Sequence, residues 1–184
     1  MPDLAGPKIA YLTFCGLIDP VGVGKIATTL NVAVNEQFDG AYICFSSNGG
    51  YVGDGIFLYN HIRSLPIPVT MHNTGTVASI ATTLFTAGAK RLCSPHSVFM
   101  MHPVTVNGNG MMASSLLQAS LDSAQRDEAR TEAILRANTK IPEEILSSRR
   151  SQDVYVAPEQ ALDFGLVHKI GDFTLPPGNK IFHV

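Results

Sequence analysis

Short unbroken apolar runs alternate with segments of helical periodicity along almost the whole chain, and this alternation limits the fold more than any other feature. A run too short for a helix yet apolar throughout suits a strand covered on both faces, as in parallel sheets flanked by helices. Lys8 to Phe14 (KIAYLTF) is the first such run. Asp19 and Pro20 then supply an N-cap and a first-turn proline for a helix through about Gln37, with Ile26, Leu30 and Val34 at fourfold spacing. Ala41 to Phe45 (AYICF) reads as a buried strand, and the turn-rich Ser46 to Gly50 leads into a helix from about Val52 to Ser64. Pro68 to His72 is a third strand, followed through Asn73 to Val77 by a small-residue helix, Ala78 to Gly88. Lys90 to Cys93 and Ser97 to Met101 are strands either side of a turn at Pro95.

After His102-Pro103 and the loop VTVNGNG comes the longest helical stretch, Met111 to about Asn138. At 1.5 Å per residue it is about 40 Å long, more than one small domain can cover, so it is expected to project and to need a partner. A short helix from Pro142, a strand Asp153 to Val156, a helix Ala157 to Phe164 closed by Gly165 and a strand Leu166 to Lys169 follow. The tail, 171–184, is expected to be extended. The pattern predicts one α/β domain over 1–184 with a mainly parallel sheet, and ligands in such sheets sit at the carboxyl ends of the strands.

Composition narrows the function. Only 15% of the 184 residues are charged, against about 25% in an average soluble protein, which hints at apolar surface buried in an oligomer. The net charge of −2 and the lack of a basic stripe beyond Arg149-Arg150 argue against nucleic-acid binding. The longest segment that could suggest a membrane span, Pro68 to Ala89, carries His72, Asn73, Ser79 and several scattered threonines, too polar to span a membrane. Met1 to Leu17 has no signal-peptide pattern. Cys15, Cys44 and Cys93 each lie in apolar runs without CxxC spacing and read as reduced core residues of a cytoplasmic protein.

Three strand ends carry the reactive residue types. Ser79, at the start of a helix, has its hydroxyl beside free backbone N–H groups and the positive end of the helix dipole; the plain alternative is a small residue that lets a buried helix pack closely. His102 ends the strand SVFMMH, where an imidazole titrating near neutrality can act as general base or simply satisfy backbone groups. Gly49-Gly50 allows backbone N–H groups to approach a carbonyl oxygen. The glycine-dense loop is neither GxGxxG nor a P-loop, and no histidine pair has HxxxH or HExxH spacing, so neither nucleotide nor metal is expected. Together, serine, histidine and a glycine pair meet the demands of acyl transfer.

The segments SSNGGYVGDGIFLYNHIR, GTVASIATTLFTAGAKRLCSPHSVFMMHP and VAPEQALDFGLVHKI, in this order, resemble the Clp protease proteolytic subunit family over about Lys8 to Ile170. The resemblance implies a Clp/crotonase-like spiral of ββα units and a serine endopeptidase lining the chamber of stacked rings. Ser79 matches the nucleophile and His102 the base, while the N–H groups of Gly50 and Ile80 match the oxyanion hole. Peptide-binding strands correspond to the segments after Gly50 and after His102. The helix of about 111–138 matches the handle that interlocks two heptameric rings. Peptide or unfolded-protein substrates, self-association into a heptamer or tetradecamer and an AAA+ ATPase unfoldase as possible partner follow, with no metal or organic cofactor for the chemistry.

The chain also departs from the family pattern. Asn48 replaces the proline before the glycine pair, and Pro103-Val104 replaces a glutamine-proline. Little sequence precedes the first strand, so axial pore loops are not expected. Counting back from Ala157-Pro158-Glu159, the triad aspartate position holds Gln152 and the arginine after it is Asp153. Either Asp153 orients His102 by a one-residue slip, or Gln152 does so as a neutral acceptor, or the triad is incomplete. The sequence therefore supports a serine endopeptidase first, and a weak or inactive ring subunit beside an active paralogue second. A crotonase-type acyl-CoA enzyme is third, though it would need a pocket carboxylate in place of the serine-histidine pair.

Overall fold

The computed structural model describes residues 6–106, 111 and 113–184. Its strands are β1 (Ile9–Cys15), β2 (Gly40–Ser47), β3 (Val69–Ala78), β4 (Lys90–Cys93), β5 (Val98–Met101), β6 (Val154–Val156), β7 (Lys169–Ile170) and β8 (Ile181–His183). Its helices are α1 (Pro20–Asn35), α2 (Val52–Ser64), α3 (Ile80–Phe85), α4 (Ser114–Asn138), α5 (Glu143–Ser148) and α6 (Pro158–Asp163). The sheet runs β6-β5-β3-β2-β1-β8, with β4 on β3 and β7 on β4. Every pairing is parallel except β5 with β6. The α/β, mainly parallel expectation therefore holds.

Local chemistry sets the first helix. Asp19 Oδ1 accepts the Gly22 N–H at 2.7 Å, Pro20 starts the helix, and Val23, Ile26, Ala27, Leu30 and Ala33 form its buried face. It stops at Asn35 rather than Gln37 because Gln37 turns left-handed (φ 55°). The Phe38 N–H then reaches the Ala33 carbonyl at 2.9 Å and the Gln37 N–H the Val34 carbonyl at 3.1 Å, closing a Schellman motif.

The third strand runs further than its apolar pattern, through Asn73 to Ala78, and changes partner on the way. Thr70 to Asn73 pair with β4, whereas Thr76 to Ala78 pair with β5. Asn73, fully buried, manages the change: its Nδ2 donates to the Val98 carbonyl (3.0 Å) and its Oδ1 accepts the Gly75 N–H (3.0 Å). The helix after it, α3, is correspondingly shorter than expected and buried at all six residues.

The long helix is present as α4, about 37 Å in length. Only Thr131, Glu132 and Leu135 are buried, and Leu116, Leu117 and Leu121 are about half exposed. The expected beginning at Met111 adjoins position 112, which lies outside the described residues. Two more features concern the tail and a cysteine. The tail adds an edge strand, β8, parallel to β1, and packs Phe173 on Tyr42 with ring centres 5.0 Å apart. Cys15 is exposed rather than in the core, because it occupies an outward position at the end of β1; Cys44 and Cys93 are buried. Among the described residues no helix is long and apolar enough to cross a membrane.

Candidate active site

Ser79 occupies the turn between β3 and α3 at φ 59° and ψ −132°, a backbone conformation that residues with side chains rarely adopt. Its neighbours hold it there. The Ser79 N–H donates to the Met100 carbonyl at 2.8 Å, and Thr82 Oγ1 donates to the carbonyls of Val77 (3.0 Å) and Met100 (3.1 Å). The turn is thus tied to β5 one residue before that strand ends and two before His102.

The glycine pair approaches from the other side. The Ile18 N–H donates to the Gly49 carbonyl (2.9 Å) and the Tyr51 N–H to the Ile18 carbonyl (2.8 Å), so the loop after β2 continues the sheet as a single bridge. Gly49 (φ +97°) and Gly50 (φ +155°) both need glycine's freedom. A Cβ on Gly50 would strike the Ile18 backbone; one on Gly49 would stand 2.6 Å from Ser79 Cβ.

Gly50, Ser79, Ile80 and His102 line one pocket of about 60 Å³, with Thr131 and Arg149 completing a wall. Ile80 opens α3, so its N–H has no acceptor within the helix. The Gly50 N–H donates to no backbone carbonyl among the described residues. No hydrogen bond joins Ser79 Oγ to the His102 ring among the described residues; such contacts often tighten only around substrate. A cleft of about 610 Å³ adjoins the pocket through Gly50, Val104 and Thr105 and is walled by Leu17, Tyr51 and α4.

Asp153 is exposed and makes no side-chain hydrogen bond or ion pair among the described residues; Gln152 is exposed too. Strand register relates them differently to the histidine. Met101 pairs with Val154 at the end of the antiparallel β5–β6 ladder, so His102 and Asp153 are the residues next to its last pair, and Gln152 is one residue further along the chain.

Arg149, Glu128 and Thr131 were not singled out from the sequence as site residues. Arg149 Nη1 is 3.5 Å from the His102 carbonyl, and Nη2 donates to Thr131 Oγ1 at 3.1 Å. Glu128 Oε2 accepts the Val104 N–H at 3.0 Å. No motif marks these residues; the only signal is a charge pair on α4 and a double arginine after a short polar helix. Elsewhere, burial pushes the Cys44 thiol up to about 11, and His72 is buried between Tyr42 and Ser94; neither lines the pocket.

A family model described as Clp protease matches residues 18–173. The chain is 31% identical over 148 residues to the ATP-dependent Clp protease proteolytic subunit 3 of Rhizobium johnstonii, covering 79% of this chain and 75% of that one. It is 26% identical over 175 residues to proteolytic subunit 2 of Pseudomonas aeruginosa, covering 92% and 86%. With the proteolytic subunit of Oltmannsiellopsis viridis it shares 29% over 156 residues, covering 84% and 79%.

Proposed function

The chain belongs to the Clp protease family, and from that premise we propose that it is a serine-type endopeptidase, a single domain that works inside an oligomeric ring. The observation that carries the reading is the convergence of Gly50, Ser79, Ile80 and His102 on one pocket from three different strand ends. Ser79 Oγ attacks the carbonyl carbon of the scissile peptide while His102 takes its proton. The carbonyl oxygen becomes an oxyanion and accepts hydrogen bonds from the N–H groups of Gly50 and Ile80. His102 returns the proton to the leaving amine, and water, deprotonated by the same imidazole, releases the acyl group from Ser79. Asp153, the residue before β6, orients His102, the residue after β5. An extended peptide lies in the cleft between the segments after Gly50 and after His102, which the cleft's lining by Tyr51, Val104 and Val106 supports.

The exposed leucines of α4 suit a helix that packs against another ring, and the relatives' names, which include "ATP-dependent", point to an ATPase unfoldase as partner. Cytoplasmic residence fits both. A second reading, a weak or inactive ring subunit, is favoured by one observation: Asp153 is solvent-exposed and unpaired with His102 among the described residues.

Labelling with a fluorophosphonate probe, followed by intact mass, separates the two. An activated serine gives one adduct per chain that the Ser79→Ala protein lacks. Absence of an adduct in assembled rings would transfer the weight to the inactive subunit.

A further inference from the structure

Arg149 is a guanidinium where few are found: 5% exposed, at the end of α5, in the wall of the pocket that Ser79 and His102 share. Its nearest counter-charge is Glu128, whose Oε1 lies 2.7 Å from Nη2; Glu132 is 3.7 Å away. Glu132 is otherwise engaged, fully buried and gripped by Arg150 through two bonds of 2.6 Å and by Arg136 at 2.9 Å. Arg149 Nε has no hydrogen-bond partner among the described residues. An ion pair whose arginine is buried this deeply while its Glu128 is half-buried seldom stabilises a fold more than apolar side chains of the same size would. What it touches therefore matters more than its strength.

It touches the histidine segment on both sides of Pro103. Arg149 Nη1 donates to the His102 carbonyl (3.5 Å), and Glu128 accepts the Val104 N–H (3.0 Å). Pro103 has no N–H, so the β5 ladder cannot carry the backbone beyond His102. The two members of the ion pair take up the backbone groups that the ladder leaves.

We propose that the Glu128–Arg149 pair is the positioning device for His102, holding the backbone from His102 to Val104 so that the imidazole faces Ser79. The proposal rests on the peptidase reading. Both are positioning residues that act through backbone, not through the ring.

The test uses two variants of the full chain: Glu128→Gln with Arg149→Met, which removes both charges together, and Arg149→Lys, which keeps the charge but loses the planar fork. Fluorophosphonate labelling of Ser79 and steady-state hydrolysis of a short fluorogenic peptide are compared in assemblies that elute like wild type. The double variant should label roughly ten- to a hundredfold more slowly, with kcat lowered and KM unchanged; the lysine variant should fall between. Should the double variant not fold, the lysine variant decides alone. Wild-type labelling rates in the variants would overturn the positioning role and leave the peptidase reading standing. A wild-type chain that refuses the probe overturns both.

Discussion

A Cβ placed on Gly49 would stand 2.6 Å from the Cβ of Ser79 and 3.0 Å from the Ala78 carbonyl oxygen. The loop after β2 and the turn after β3 therefore meet at a distance that no side chain at 49 permits. Gly49 also has φ +97°, which adds strain to any substitution.

Gly49→Ala should accordingly displace Ser79 and slow its labelling by roughly a hundredfold, with a stability loss of about 1–3 kcal/mol. Gly24 is the control, because a Cβ there meets nothing and it lies on the exposed side of α1. Gly24→Ala should keep the wild-type labelling rate and raise stability by about 0.5–1 kcal/mol. Equal labelling of the two variants would remove the contact from the account.

Ser79 itself holds an unfavourable conformation, φ 59° with ψ −132°. Glycine tolerates that region where alanine does not. Ser79→Gly and Ser79→Ala should both abolish labelling, and the glycine variant should be the more stable by about 1 kcal/mol in chemical denaturation. An alanine variant as stable as the glycine one would mean that the turn relaxes and stores no strain.

The elements that local chemistry decides were legible in the sequence. The Asp19 cap and Pro20 placed the start of α1, and the bounds of α2 and β4 agree with the pattern. Ser79, His102 and Gly50 stand out as candidates because parallel strands present their carboxyl ends together, whereas Ile80 enters only through the family resemblance. The second half of β3 was not legible: Asn73, Thr74 and Gly75 have turn composition, and contacts distant in the chain, such as the bond of Asn73 to the Val98 carbonyl and the pairing of Thr76 with Val98, make this stretch sheet. Residues β8 pairs with, and the counter-charge of Arg149, are likewise set by contacts distant in the chain that no periodicity announces.

Strand register bears on which of the two residues is nearer His102. The Met101–Val154 pair ends the ladder beside His102 and Asp153, with Gln152 one residue further away. Asp153→Asn should therefore lower the labelling rate, by up to about 10⁴-fold if the carboxylate serves as it does in the serine-protease triad. Gln152→Leu should leave the rate near wild type. The reverse pattern would assign the role to Gln152 as a neutral acceptor.

A pH dependence of stability should arise away from the active site. His72 is fully buried, with Nδ1 2.6 Å from the Tyr42 hydroxyl, Nε2 3.3 Å from Ser94 Oγ, and the Phe173 ring edge-on to it. Burial pushes its imidazole below the ordinary value, more than the Gly171 backbone and Asp172 pull it up. His168 is lowered as well, by burial and then by Arg91 and Lys90. The unfolded histidines take up a proton near pH 6.5, whereas the folded ones resist it until lower pH. The unfolded state thus binds more protons in that window, and stability present above about pH 6.5 is lost as the pH falls. The melting temperature should drop between about pH 7 and 5, and His72→Gln should flatten the slope, with His168→Gln removing part of the rest. A slope left intact in both variants would move the effect to other groups.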